Sequence, residues 1–212
     1  MAHSHSVSCA AIVIAGWPGC GKSTLARGLA RVLGVVPLER DSFLEPLAAR
    51  ALRAAGESPG DFTCPFFKQE ISPAGYEALE SVAASILASG GGHRVALVAP
   101  YGRRVGDPEW LPALERRLGA PTCLLWLTAP LEVIRERRGR RGEPRDLAAL
   151  SDWAREASYI DPGLRPAAPH LHLDSSRLGP EKMLGAAREW LTEWLPDAEA
   201  QRRSSPRSCG AS

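Results

Sequence analysis

Residues 16–24 read Gly-Trp-Pro-Gly-Cys-Gly-Lys-Ser-Thr, which fits the pattern G-x-x-x-x-G-K-[ST]. The glycines of such a loop let successive backbone N–H groups turn inward toward phosphate oxygens. In this pattern Lys22 reaches the β- and γ-phosphates of a nucleotide, and the Ser23 hydroxyl is placed to ligate Mg²⁺. The stretch therefore predicts a triphosphate site formed by Gly16, Gly19, Cys20, Gly21, Lys22, Ser23 and Thr24.

The segments on both sides of the loop are those that this kind of site requires. The run Cys9–Ala15 is short, apolar and rich in β-branched residues, which is typical of a buried parallel strand. After the loop, Leu25, Leu29 and Leu33 recur every four residues and mark one apolar face of a helix. A chance glycine turn before a helix is the competing interpretation, and the strand and helix together favour the phosphate loop.

Composition limits the class of protein. The chain has 212 residues, of which 44% are hydrophobic, and this suits one compact domain. A net charge of +2 argues against nucleic acid or a membrane surface as a partner. Five cysteines without a C-x-x-C pair, and an N-terminus without a secretion signal, predict reduced thiols in a cytoplasmic protein. The oligomeric state, monomer or homodimer, stays open.

Strand-like and helix-like segments alternate along the chain. This alternation predicts an α/β fold, a three-layer α/β/α P-loop NTPase with a five-stranded parallel sheet. Ser42 and Glu45 have the spacing of a capping box, which predicts a helix over 43–55. Further helices are expected from 131 to about 138 and over 147–159. Strands are expected at 9–15, 35–38, 94–99, 122–127 and 170–173, within a domain 9–196 between disordered ends at 1–8 and 197–212.

A second candidate group follows the second strand. Asp41 comes directly after that strand, so it should lie on the same edge of the sheet as Lys22. A carboxylate there can accept the proton of an attacking hydroxyl, or hold Mg²⁺ through water. Asp41 could instead only cap a helix, although Ser42 is available for that task. The third strand ends without an acid and Asp107 comes several residues late, which favours Asp41 as the base.

A third candidate group is an arginine-rich stretch at 135–146. Residues 135–145 include six arginines and only two acidic residues, Glu136 and Glu143, although the whole chain is nearly neutral. Arginine stabilises the negative charge that develops on a transferred phosphoryl group, and a mobile segment could bring arginine side chains over the nucleotide. Arg137 and Arg141 share a helix face by their spacing, and Arg145 follows at the same interval. A solvated basic helix and an RNA-binding patch are the alternatives.

Taken together, these motifs resemble the small P-loop kinases of the chloramphenicol phosphotransferase-like and zeta-toxin-like kind. The likeness covers most of residues 10–195 and rests on three features: the loop, Asp41-Ser42 after the second strand, and the arginines followed by the strand Pro169–Asp174. The resemblance implies that Asp41 is the catalytic base and that Asp174 lies near the adenine. The strand end Ala99-Pro100-Tyr101 departs from the phosphotransferase pattern.

The sequence thus predicts a kinase that uses ATP, or GTP in its place, with Mg²⁺ held by Ser23 and Asp41. The acceptor is expected to be a hydroxyl group on a small molecule such as an antibiotic, a sugar, a nucleoside or a biosynthetic intermediate. Lys22, Asp41, Arg137 and Arg141 are the predicted catalytic residues. A polynucleotide 5′-hydroxyl kinase and an ATP-binding regulatory protein without catalytic activity are the alternatives.

Overall fold

The structure is a computed structural model that describes residues 10–193. The ends that we expect to be disordered, 1–8 and 197–212, lie outside the described residues, as do the outermost residues of the predicted domain 9–196. In the described part of the chain, we find no helical stretch with the length and apolar character that crossing a bilayer requires.

Five parallel strands form one sheet, as predicted. Its spatial order is β2-β3-β1-β4-β5, so the first strand of the chain is the central one. The pairing of β1 with β4 runs along the whole of β1, from Ala11 opposite Thr122 to Gly16 opposite Leu127. The strands are β1 (Ala11–Gly16), β2 (Val36–Glu39), β3 (Val95–Val98), β4 (Thr122–Thr128) and β5 (Leu171–Asp174).

Helices connect the strands and cover both faces of the sheet, which gives the predicted three-layer α/β/α fold. They are α1 (Lys22–Leu33), α2 (Arg40–Ala54), α3 (Ser72–Ala88), α4 (Trp110–Leu118), α5 (Leu131–Arg141), α6 (Pro144–Ser151), α7 (Trp153–Tyr159) and α8 (Pro180–Thr192). A π-helical turn, Phe67–Ile71, precedes α3, and a 3₁₀ turn, Gly102–Gly106, precedes α4.

The central strand separates two apolar layers because its side chains alternate between the faces of the sheet. Ile12 and Ile14 pack with residues of α1 and α8, including Leu29 and Leu191. Ala11, Val13 and Ala15 face the opposite layer, which α3 and α4 supply. Burial on both faces explains why the strand is apolar without a polar alternation.

Three boundaries differ from the sequence prediction. The helix expected at 43–55 begins at Arg40, and no side chain caps it, so the predicted capping box of Ser42 and Glu45 is wrong. Here β2 runs into α2 without a loop, and Arg40 is already buried. The helix expected at 147–159 is split in two at Asp152, and α5 continues to Arg141.

The carboxyl ends of all five strands lie along one edge of the sheet, which is where open α/β sheets bind their ligands. The phosphate loop follows β1 at the centre of this edge, and α2 follows β2 at one side. The junction between β2 and α2 carries Glu39, Arg40 and Asp41 in succession. The edge thus brings the loop and this acidic junction together.

Candidate functional site

The phosphate loop has the backbone geometry that its sequence predicts. Gly16, Gly19 and Gly21 have φ angles of 145°, 88° and 91°, a region that other residues rarely adopt. A Cβ atom at Gly16 would also lie 2.3 Å from the carbonyl oxygen of Leu127. The Gly21 backbone begins α1, so the N–H groups of the first helical turn are available to an anion.

Lys22 is folded back over this loop. Its ammonium donates hydrogen bonds to the carbonyl oxygens of Gly16 at 2.8 Å and Trp17 at 3.1 Å. Burial lowers the pKa of Lys22, and the nearby charges of Arg141 and Arg145 lower it further, whereas Asp41 opposes the shift. An ammonium group that is poorly solvated and bonded to only two carbonyl oxygens can readily exchange them for phosphate oxygens.

Ser23 faces a carboxylate that the sequence analysis passed over. Its hydroxyl donates to Oε2 of Glu39 at 2.6 Å, and Arg27 lies 3.6 Å from the other carboxylate oxygen. A hydroxyl beside a carboxylate offers the hard oxygen donors that suit Mg²⁺. The acid closest to the loop serine is thus Glu39. Its place at the carboxyl end of β2 was the signal that could have identified it.

Asp41 lies in the first turn of α2, two residues beyond Glu39. One carboxylate oxygen lies 3.3 Å from Arg40 and the other 3.0 Å from Arg145. The carboxylate side chain is 42% exposed, so solvent and substrates can reach it. Arg40 is itself fixed, because its guanidinium stacks 4.2 Å from the ring centre of Tyr76 and donates to Ser72.

One cavity of about 480 Å³ joins these groups. The residues of the phosphate loop and the arginines of α5 and α6 line one part of it. The lining also includes Leu44 of α2 and, from the segment 60–67, Phe62 and Phe67, and these three side chains belong to one apolar cluster. The lining of the cavity includes Lys22, Ser23, Thr24, Glu39, Asp41, Leu44, Glu45, Phe62, Phe67, Pro100, Arg137, Arg138, Arg141, Arg145, Asp146 and Glu156.

Arg137 is held beside the phosphate loop. It donates to the hydroxyl and the carbonyl oxygen of Ser175, both at 2.7 Å, and lies 3.4 Å from the carbonyl oxygen of Gly19. Ser175 directly follows β5, so this strand end fixes the arginine. The arrangement keeps a guanidinium at the rim of the loop, where the phosphates of a nucleotide would lie.

Arg138 and Arg141 converge on one fully buried carboxylate, Asp146. Arg141 forms a two-pronged contact with it at 2.6 and 2.7 Å, and Arg138 donates to it at 2.9 Å. Arg138 also pairs with Glu156 of α7. Burial would raise the pKa of Asp146, but the hydrogen bonds and charges of the two arginines hold it below its usual value. The arginine stretch is therefore tied together by carboxylates.

Changing Asp146 to asparagine should destabilise the protein strongly. The substitution keeps the shape of the side chain but leaves two arginines, one of them buried, without their shared counter-charge. We expect the free energy of unfolding to fall by about 3–5 kcal/mol in urea titrations. Glu136→Gln is the control, because its pair with Arg140 is exposed and should contribute at most about 0.5 kcal/mol. Equal losses in both variants would contradict the structural importance of Asp146.

Other predicted site residues occupy less direct positions. The Cys20 side chain is buried in the core, and burial raises the pKa of its thiol, so Cys20 can offer a ligand only its backbone. Thr24 is exposed at the cavity. Asp174 accepts hydrogen bonds from the backbone and hydroxyl of Ser176, and is not among the residues that line the cavity.

Comparison with known proteins agrees with this geometry. The sequence profile of an AAA domain family matches residues 12–161, more than half of the chain, so the chain belongs to this family. Membership implies nucleotide binding through the phosphate loop described above. No curated protein matches the chain.

Several solved structures share the fold. A protein from Chloroflexus aurantiacus, provisionally described as a kinase, is 22% identical, with a TM-score of 0.61 over 89% of this chain and 99% of its own. A sugar kinase from Janibacter is 22% identical, with a TM-score of 0.57 over 86% and 94%. A gluconokinase from Sinorhizobium meliloti is 14% identical, with a TM-score of 0.57 over 94% and 99%. At these identities the likeness shows a shared fold and nothing more.

Proposed function

We propose that this protein transfers the γ-phosphoryl group of ATP to a hydroxyl group of a small molecule. The observation that carries the proposal is that one cavity contains both the phosphate loop and a solvent-accessible carboxylate, Asp41, next to an apolar wall. The AAA domain family and the kinase fold support nucleotide chemistry. The carboxylate and the wall add a place for an acceptor that simple nucleotide binding would not need.

The phosphate side of the cavity would bind and orient the triphosphate. Lys22 exchanges its two carbonyl contacts for phosphate oxygens, and the loop N–H groups donate to the same groups. Arg137 adds a guanidinium at the loop rim. Ser23 and Glu39 would hold Mg²⁺, which when bound neutralises part of the charge on the phosphates. Arg141 would supply further positive charge from its position on Asp146.

Asp41 would act on the acceptor. A carboxylate at this position can orient the attacking hydroxyl and accept its proton as the bond to phosphorus forms. Phosphoryl transfer depends mainly on positioning and electrostatics, so a base on the rigid first turn of α2 suits the reaction. The proton passes from the acceptor oxygen to the carboxylate, and ADP leaves with the charge of the broken bond.

The apolar side of the cavity limits the acceptor. Leu44, Phe62 and Phe67, which pack in one apolar cluster, offer a surface for a carbon skeleton, while Asp41 and Glu45 offer hydrogen-bond acceptors for hydroxyl groups. Both aromatic residues of this wall, Phe62 and Phe67, come from the segment 55–71 that connects α2 to α3. A sugar, the substrate class that the name of the Janibacter sugar kinase gives, or a hydroxylated antibiotic fits these properties.

A panel of hydroxylated compounds tests the proposal. The purified protein is incubated with ATP, Mg²⁺ and sugars, sugar acids, nucleosides, hydroxylated antibiotics or an oligonucleotide with a free 5′-hydroxyl. Mass spectrometry then reports the gain of one phosphate. Phosphorylation of a small molecule supports the proposal, and preference for the oligonucleotide would indicate a polynucleotide kinase. ATP binding without any phosphorylated product would favour a regulatory nucleotide-binding protein.

Changing Glu39 to glutamine should raise the Mg²⁺ concentration that half-maximal ATP turnover requires. The amide keeps an oxygen near Ser23 but removes the negative charge, and losses of about 10- to 100-fold in metal affinity or activity are typical for such supporting groups. Mg²⁺ titrations at fixed ATP measure the effect. Glu70→Gln, at an exposed position, is the matched control. An unchanged Mg²⁺ requirement would remove Glu39 from the metal site.

A further inference from the structure

Arg145 forms ion pairs with the two carboxylates that the acceptor would need, those of Asp41 and Glu45. Nη1 of Arg145, in the first turn of α6, lies 3.0 Å from Oδ2 of Asp41 and also pairs with Glu45. The two carboxylates lie four residues apart on α2, so a single guanidinium bridges one face of that helix. In this arrangement the proposed base is engaged by a cation of the protein itself.

The contacts of Arg145 differ from those of its neighbours. Arg141 is anchored on Asp146, which is fully buried, and Arg137 is fixed by Ser175. The partners of Arg145, by contrast, are 42% and 35% exposed. Ion pairs of this exposure contribute little free energy, so a competing anion can replace them. The adjacent Asp146 meanwhile holds the backbone of α6 in place.

The nearest competitor would be the triphosphate. Arg145 and Lys22 line the same cavity. Burial is the main cause of the lowered pKa of Lys22, and the charges of Arg141 and Arg145 lower this pKa further. A phosphate tail bound at Lys22 is therefore within the electrostatic reach of Arg145. Guanidinium groups bind phosphate oxygens with two parallel hydrogen bonds, which single contacts to two separate carboxylates do not match.

We infer that Arg145 is exchanged between two partners, the carboxylates of Asp41 and Glu45 in the nucleotide-free protein and the phosphates of ATP in the complex. Binding of ATP would draw the guanidinium away and free both carboxylates for the acceptor. Nucleotide would then bind before acceptor, and a free base would be present only when a phosphoryl donor is in place. The inference rests on the proposed nucleotide site but does not require a known acceptor.

Calorimetric titration with a non-hydrolysable ATP analogue and Mg²⁺ tests the exchange. Glu45→Gln removes the ion pair between Glu45 and Arg145. We therefore expect the analogue to bind about two- to fivefold tighter, the range that an exposed ion pair allows. Arg145→Gln should weaken binding. In the Arg145→Gln background, adding Glu45→Gln should leave affinity unchanged, because no guanidinium remains to be released.

The design separates this effect from the general benefit of removing a negative charge near an anion. General electrostatics would give the same gain in both backgrounds, and that result would overturn the inference. AMP serves as a ligand control, because it lacks the outer phosphates and should bind equally to the parent and to Glu45→Gln. Thermal melting of each variant confirms that it is folded.

The outcome can be distinguished from that of the acceptor panel. Coupled affinities without any phosphorylated product would support the exchange and refute phosphoryl transfer to an alcohol. A phosphorylated acceptor with equal gains in both backgrounds would do the reverse. A parent protein that fails to bind the analogue would overturn both.

Discussion

Replacing Lys22 with alanine should abolish phosphoryl transfer, with a fall in turnover of about 10³-fold or more. The ammonium is the cation that the phosphate loop itself provides, and it is already held over the loop by the carbonyl oxygens of Gly16 and Trp17. Without it, the loop would offer only its backbone N–H groups to the negatively charged β- and γ-phosphates. ADP release, measured with a coupled assay and with the best acceptor from the panel, reports the loss.

Lys182→Ala is the matched control, since this lysine is exposed on α8 outside the cavity and its loss should leave turnover unchanged. A thermal melt of Lys22→Ala distinguishes a chemical effect from unfolding. Because burial disfavours the charged form of Lys22, its removal should not destabilise the free protein markedly. Substantial activity in Lys22→Ala would mean that the loop is not the site of transfer.

Changing Asp41 to asparagine should lower kcat by about 10²-fold or more while the affinity for ATP changes no more than a few-fold. The amide keeps the shape of the side chain and an oxygen for the acceptor, but it cannot take a proton at neutral pH. Since Asp41 lies on α2 and the nucleotide phosphates are bound by the loop and α5, the loss should appear in turnover. Steady-state kinetics at saturating ATP, together with calorimetric ATP binding, measure the two effects separately.

Asp107→Asn is the control for this substitution. Asp107 is the acid nearest to the end of β3 in sequence, and it is exposed and absent from the cavity lining. Its oxygen accepts a hydrogen bond from the backbone of Glu109, which asparagine can preserve. We expect turnover close to that of the parent. Near-parental kcat in Asp41→Asn would show that another group, or none, removes the acceptor proton.

The sheet and the phosphate loop could be predicted from the sequence because their signals are local. The apolar run of β1, the glycines and the leucine spacing of α1 lie within about one supersecondary unit, and their order leaves few alternatives. The five strands occur where their apolar segments indicated. The start of α2 was missed because a strong local signal, Ser42 and Glu45, competes with a strand that continues into the helix.

The partners of the charged residues could not be predicted in the same way. The stretch 135–146 suggested a mobile group of free cations, because the sequence shows charge but not pairing. In the structure, Asp146 and Glu156 hold Arg138, and Ser175 holds Arg137. Glu39 was passed over for a related reason. Nothing near it in sequence indicates that it faces Ser23, sixteen residues earlier, across the edge of the sheet.

The junction of β2 and α2 has a consequence for how such a protein could change its substrate. Glu39 and Asp41 belong to one continuous strand–helix unit, whereas Phe62 and Phe67 come from a separate connecting segment. Mutations in that segment could therefore reshape acceptor selectivity without moving either acid. Laboratory evolution directed at residues 60–67 would offer a route to new alcohol specificities on an unaltered catalytic framework.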